Sequence, residues 1–512
     1  MVLPSTSTGV LVTVLILLSW LLLLRKRNQK QPKGPVAWPL IGVTFELIRN
    51  YHRMIDWITG FLRNSKTIQL RIPFRSCTFT VDPDNVEYIL KTNFANFPKG
   101  DAFHSWAEDF FGHGIFNVDG DEWRMQRKTA SVEFTSRNLR DFSGAVFRDC
   151  SVKLCEILAE SARRSKEVDM QDLFMRMTFD SVCKLGFGVD VKTLDAALPE
   201  SPFAKSFDRA NEVLALRFVD PFWKLKKLLN LGSEAVMRRS LRVVDDFVYS
   251  VIRRRRLELQ DAILIEETKI KGDILSRFMS LGNAETRLTN QNLRDVVVNF
   301  LVAGRDTTAV TLSWATYILA EHNHLAEKLH EELKSFEERA GKTNDESFHG
   351  RLKRFAGLLT YESLGTMKHL HAFVSEALRL YPAIPQDVKG VIKDDILPDG
   401  TKVKAGTLVA YVPYAMGRME YLWGTDAAVF KPERWLENGV FREASPFKFT
   451  AFQAGPRMCL GRESAFLQMK MTVALLCRFF HFGLLPSHPV SYLTSVVLLM
   501  KNGLNVKVNL RP

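Results

Sequence analysis

The sequence predicts a mainly α-helical domain with minor β-sheets, preceded by a single N-terminal transmembrane helix. Three observations carry that expectation. From about residue 121 to 330, apolar residues recur at three and four positions, with few Pro or Gly to interrupt them. Segments that alternate and are rich in β-branched residues are short and confined to a few places. The chain opens on Gly9–Leu24 (GVLVTVLILLSWLLLL), which with the uncharged Ser/Thr stretch before it gives roughly the 20 residues that span a bilayer.

Taken in order, residues 1–24 read as a transmembrane signal anchor. Arg25, Lys26, Arg27, Lys30 and Lys33 follow with no acidic residue ahead of them, so this flank is expected to stay cytosolic while the amino end crosses. A cleaved signal peptide would carry its charge before the apolar run and a small-residue site after it; here the charge follows and no such site does. Residues 25–42 form a basic flank and Pro-rich hinge, with Pro32, Pro35 and Pro39 to end the helix and stiffen the link. Residues 68–90 (IQLRI, CTFTV) read as a small sheet and then a helix from Pro83. The helical stretch follows, with polar loops or solvent-facing helix ends expected at 261–292 and 336–352. Short apolar runs at 384–413 suggest strands around the turn Pro398-Asp399-Gly400. VVLLM and LNVKVNL suggest strands at the end.

The chain has 512 residues, 46% of them hydrophobic, which supports a large core. Its net charge of +13 favours anionic partners. Part of that excess sits in the anchor's flank and the rest is diffuse. No finger, RNA-binding or helix-turn-helix signature accompanies it, so no nucleic-acid partner is expected. The six cysteines (Cys77, Cys150, Cys155, Cys183, Cys459, Cys477) are scattered without CxxC spacing, which excludes a disulfide scaffold.

Cys459 stands apart. It lies in Phe452-Gln-Ala-Gly455-Pro-Arg457-Met-Cys459-Leu-Gly461, ahead of a helical stretch. A thiolate on iron needs an accessible sulfur, backbone N–H groups aimed at it, and little bulk where the chain nears the macrocycle. Gly455 and Gly461 answer the last need, and a following helix N-terminus stabilises the thiolate. The segment resembles the haem-binding signature FxxGxRxCxG of cytochromes P-450, and it implies Cys459 as the axial ligand of haem b (iron protoporphyrin IX). Phe452, Gly455, Arg457 and Gly461 would then be cofactor-binding, Arg457 toward a propionate.

Further segments resemble the same family in its order. Ala303-Gly304-Arg305-Asp306-Thr307-Thr308 is similar to its AGxDT motif on the helix over the haem. It implies Asp306 and Thr307 as catalytic residues relaying protons in oxygen activation. Trp123 and Arg127 fit its WxxxR helix, toward a propionate. Glu376 and Arg379 fit ExxR, where i and i+3 share a helix face; with Arg434 of Pro432-Glu-Arg-Trp435 they are structural. The resemblance runs from the hinge to the end and implies the cytochrome P-450 fold, with residues 43–512 as a haem-thiolate monooxygenase domain.

Tyr414-Ala-Met-Gly417-Arg418-Met419-Glu420-Tyr-Leu-Trp423 and AGRDTTAVTLSW look like the plant group of this family that ω-hydroxylates fatty acids. Phe103, Trp106, Phe110, Phe111, Ile115 and Phe116 fall in the loop that roofs the family's substrate pocket. Phe300, Val302, Ala303, Ile384, Pro385 and the tip Lys501-Asn502-Gly503-Leu504 fall in other substrate-contacting stretches. An apolar, aromatic lining suits an acyl chain. The resemblance implies electrons from NADPH through a separate flavoprotein reductase docking on a basic proximal face, since the chain has no GxGxxG after a strand. It also implies an endoplasmic-reticulum location with the catalytic domain cytosolic. In-chain hydroxylation or epoxidation, oxidation of a terpenoid, and a non-catalytic haem protein are the alternatives. The basic run Trp223–Lys227 is expected on the membrane surface, and Arg253–Arg256 on a solvated face.

Overall fold

The computed structural model describes residues 34–511 except positions 36, 39–40, 73–74, 136, 196–200, 265–271, 282–287 and 342–346. The expected anchor at 1–24 lies outside the described residues. Among those described, no helix is long and apolar enough to cross a membrane.

The body is helical with small sheets. Local chemistry starts the helices where they are needed. Asp82 accepts the Asp84 N–H at 3.1 Å, with Pro83 at the first helical position. Asp169 caps the helix Met170–Phe187, and Thr289 and Asn292 form a capping box at the start of the central helix.

That central helix is Asn290–Leu301, a π-helical turn over Val302–Asp306, then Thr307–Glu321. The π turn loosens the hydrogen-bond ladder at AGRDT. Thr178, on Met170–Phe187, donates to the Arg305 carbonyl at 2.8 Å. Gly304 is required by packing: a Cβ there would meet Val182 Cγ2 at 2.5 Å. The glycine lets two helices touch.

The larger sheet has four strands in the order Thr67–Ile72, Arg75–Thr80, Leu408–Tyr411, Asp387–Gly390. Short pairs flank the 398–400 turn, and Asn505–Leu510 pairs with Phe480–Leu484. VVLLM forms no strand; its backbone serves a cavity wall described below. The polar stretch at 336–352 is partly helical, in Asn323–Arg339 and Phe348–Leu358. Likewise Gly232–Leu264 runs into the 261–292 stretch and Asn290 starts the central helix. Arg253–Arg256 is not a wholly solvated face, because Arg255 turns inward to Asp273 at 2.5 Å.

One buried ion cluster ties the core to the segments after it. On the helix Lys368–Leu380, Glu376 and Arg379 are fully buried. Glu376 accepts from Arg379 Nε and Nη2 (both 2.7 Å), Arg434 Nε (2.8 Å), Trp435 Nε1 (2.9 Å) and the Lys431 N–H (2.8 Å). Arg379 also donates to the carbonyls of Gly417, Ala427 and Val429. Removing one partner strands a buried charge. Glu376→Ala is therefore expected to lower unfolding free energy by about 3–5 kcal/mol, read from the urea midpoint.

Candidate active site

The Cys459 loop is closed by its own backbone. The Cys459 N–H donates to Phe452 O at 2.9 Å, and Met458 N–H to Gly455 O at 3.0 Å. Gly455 has φ +65° and its missing Cβ would fall 2.1 Å from Leu90 O, so the turn and this close approach already require glycine. Gly461 ends the loop before the helix Arg462–Phe479. A Cβ on Gly461 would lie 4.0 Å from Cys459 Sγ, so glycine keeps side-chain bulk away from the sulfur.

Cys459 lies deep in the protein but opens onto a cavity of 460 Å³. Burial pushes the thiol's pKa up; the Gly461 N–H and the guanidiniums of Arg127 and Arg462 oppose that. The Arg127 Nη2 donates to Met458 O at 2.7 Å. Phe452 packs on Phe466 at 5.1 Å.

The cavity brings together most of the expected residues. Trp123, Arg127, Phe452, Arg457, Cys459 and Gly461 line it, as do Thr307, Ala303, Phe300, Phe103, Trp106, Phe111, Phe116 and Ile384. Phe110 does not. It is fully buried and packs edge-on against Phe207 at 5.2 Å. The tip at 501–504 is not in the cavity wall either. Asp169 Oδ1 accepts from the Leu504 N–H there at 2.8 Å, and Gly503 (φ +68°) leaves room for that carboxylate. Thr494, Ser495 and Val496 line the cavity instead. Glu376, Arg379 and Arg434 stay outside it.

Asp306 also departs from expectation. Thr307 faces the cavity and donates to Ala303 O at 2.7 Å. Asp306 is buried on another side of the helix. It bonds Arg305 Nη1 at 2.7 Å and Asn211 Nδ2 at 3.2 Å. Arg305 also pairs with Asp208, at 2.7 Å. Burial raises the Asp306 pKa to about 7, Arg305 and Asn211 opposing it and Asp208 adding to it.

A cation-rich edge went unforeseen. Lys99 Nζ lies 2.7 Å from Asp387 Oδ1, and Lys389 Nζ 2.8 Å from Asp387 Oδ2, with all three buried. Arg457 pairs with Asp119 at 2.5 Å and sits over the Trp123 ring at 4.6 Å. Burial depresses the Lys389 pKa to about 7, with Lys99 and Arg457 adding to the effect and Asp387 opposing it. Arg457 Nε is buried without a hydrogen-bond acceptor. That orphan donor and the cation excess beside an apolar cavity suit an anionic edge of a bound group, as the propionates of haem would supply. The signal in the sequence was the Asp387-Val-Lys389 pair inside an apolar run.

The pH dependence of Asp306 has a definite sign. Its native pKa lies above the unfolded value, so stability is greatest when both states hold the proton and falls as pH rises toward 7. The wild type minus Asp306→Asn difference in urea midpoint is expected to decline between about pH 5 and 7 and to flatten above about pH 8.

Comparison with known proteins agrees with this arrangement. A family model described as cytochrome P450 matches residues 32–508. Cytochrome P450 704B1 of Arabidopsis thaliana is 53% identical, covering 98% of this chain and 99% of its own. Cytochrome P450 704C1 of Pinus taeda is 48% identical, over 94% and 93%. Cytochrome P450 94B1 of Arabidopsis thaliana is 38% identical, over 95% and 93%. With the Cys459 loop, the interrupted central helix and the Glu376–Arg379 cluster in one fold, the chain belongs to the cytochrome P450 family and is a haem-dependent monooxygenase.

Proposed function

We propose that this monooxygenase hydroxylates long-chain fatty acids at the terminal (ω) carbon, with electrons from NADPH brought by a separate flavoprotein reductase. The observation that carries the substrate class is the cavity wall. Phe103, Trp106, Phe111, Phe116, Phe300 and Ile384 give it an apolar, aromatic face, and Lys99, Arg127 and Arg457 are the cations in its lining. Such a wall suits a long hydrocarbon. The terminal position rests on the resemblance of the Tyr414–Glu420 and Arg305 segments to the plant ω-hydroxylating group.

In this reading Cys459 holds the haem iron, and Arg457, Trp123 and Lys99 hold the propionate edge. The bound haem supplies oxygen activation. Thr307 keeps a hydroxyl at the cavity and holds a proton there. Asp306 stores a proton behind it, and that proton reaches the cavity only if the side chain turns or water intervenes. The apolar wall excludes water from the reacting end of the chain.

The reading includes an endoplasmic-reticulum membrane location with the catalytic domain cytosolic, as the family resemblance implies; the apolar run Gly9–Leu24 and the basic flank after it support the membrane anchor and its orientation. The surface adds support. Phe222, Leu225, Leu228, Leu229 and Leu231 are exposed beside Lys224. Trp223 itself is buried beneath the Arg217 guanidinium, 4.7 Å from its ring.

A product map tests the reading. Microsomal enzyme, reductase and NADPH are incubated with fatty acids of several lengths, and the new oxygen is located by mass spectrometry. Terminal oxygen is the expected result; oxygen inside the chain removes the ω assignment, and no oxidised fatty acid removes the substrate class. Thr307→Ala is expected to leave NADPH consumption running while product per NADPH falls about tenfold or more. An unchanged ratio would remove Thr307 from proton delivery.

A further inference from the structure

The Tyr414–Arg418 segment does no chemistry in the reading above, yet it occupies a decisive place. One wall of the cavity comes from three segments far apart in sequence: Met54–Ile55, residues 383–386 and residues 494–496. The last two have no regular secondary structure, so their backbone groups need partners from elsewhere.

Those partners converge on a few side chains. Trp314 Nε1, from the central helix, donates to Leu498 O at 2.7 Å. The Leu498 N–H donates to Ala383 O at 2.9 Å, joining the second and third segments. The Tyr414 N–H donates to Pro385 O at 3.2 Å. Its hydroxyl donates to Asp56 Oδ1 at 2.8 Å, on the helix that carries Met54 and Ile55. Thr494 Oγ1 donates to Tyr51 O at 2.7 Å.

Behind these bonds runs a stack. The Arg418 guanidinium lies 3.6 Å from the Tyr414 ring centre and 5.6 Å from that of Tyr381. Tyr381 stacks on Trp314 at 4.3 Å and 6°. Arg418 also donates to Leu380 O, just before residues 383–386. None of Trp314, Tyr381, Tyr414 and Arg418 lines the cavity.

We propose that these four are positioning residues for regioselectivity. They hold the wall so that an extended apolar chain can present its end to the reacting centre but cannot bend to present an internal carbon. The proposal rests on the acyl-chain reading above and deepens it. Internal C–H bonds are weaker than terminal ones, so terminal attack needs a wall that does not yield. Small displacements of the reacting carbon change rates steeply.

The test uses full-length, haem-loaded Trp314→Phe and Tyr414→Phe. Tyr414→Phe keeps its ring and loses the hydroxyl donor to Asp56; Trp314→Phe keeps an aromatic face, smaller by the pyrrole ring, and loses the donor to Leu498 O. The CO-bound absorption spectrum is expected to stay that of the wild type. The ratio of terminal to in-chain product from a saturated fatty acid is expected to fall about fivefold, the scale of one net hydrogen bond. An unchanged ratio in both variants overturns the proposal. If the wild type oxidises no fatty acid, the acyl reading fails, and azole binding decides the brace alone. Spectral dissociation constants are then compared for a straight alkylimidazole and a triphenylmethyl imidazole. A preference for the straight probe that narrows in the variants supports the brace, and an unaltered preference overturns it.

Discussion

The structure depends on holding one sulfur at the edge of an apolar cavity without leaving the backbone around it unsatisfied. A free loop of that kind would collapse into so large a space. Here the loop closes on itself through the bond from Cys459 to Phe452. It is pinned from outside by Gly455 against Leu90 O and by Arg127 on Met458 O. The helix Arg462–Phe479 follows at once, with most of its residues buried. Its packing fixes the direction in which the sulfur points. The loop is therefore rigid before any ligand enters, as a metal site requires if its geometry is not to be bought from the binding energy.

The second constraint is charge. An apolar cavity tolerates ions only where they are paired or where a ligand completes them. Three arrangements follow from that rule. Glu376 satisfies Arg379 and the half-buried Arg434, and the backbone takes the remaining donors, so Glu376 and Arg379 can sit wholly buried away from the cavity. Arg305, Asp208 and Asp306 pair along one side of the central helix, and burial still raises the Asp306 carboxyl to about 7. Lys99, Lys389 and Arg457 share Asp387 and Asp119 and retain a positive excess. That excess lies where an anionic group has most to gain.

Motifs whose chemistry is local were legible in the sequence. The Cys459 loop, the i, i+3 pair Glu376–Arg379, the Asp82–Pro83 helix start and the strands about residue 400 all follow from neighbours in the chain. What escaped depended on which way a side chain turns. Phe110 and Phe111 are adjacent and equally apolar, yet only Phe111 reaches the cavity. Asp306 and Thr307 are adjacent too, and a helical step of about 100° separates their directions. Gly455 reads as room for a cofactor, but the neighbour that demands glycine there, Leu90 O, is brought close only by the fold, as Val182 is at Gly304. VVLLM has the composition of a strand, and tertiary bonds to Trp314 and Ala383 claim its backbone instead.

The same distinction separates the chemistry of this enzyme from its selectivity. The residues nearest the sulfur belong to one loop, so a short motif can encode them. The cavity wall is assembled from residues 54–55, 383–386 and 494–496, and no short motif can encode a surface of that kind. What can be encoded is the set of side chains that join those pieces. Trp314, Tyr381, Tyr414 and Arg418 do so without touching the cavity. On the proposal that these four are positioning residues, a segment such as Tyr414–Glu420 records how the wall is held, and through that where along a substrate the oxygen would be placed.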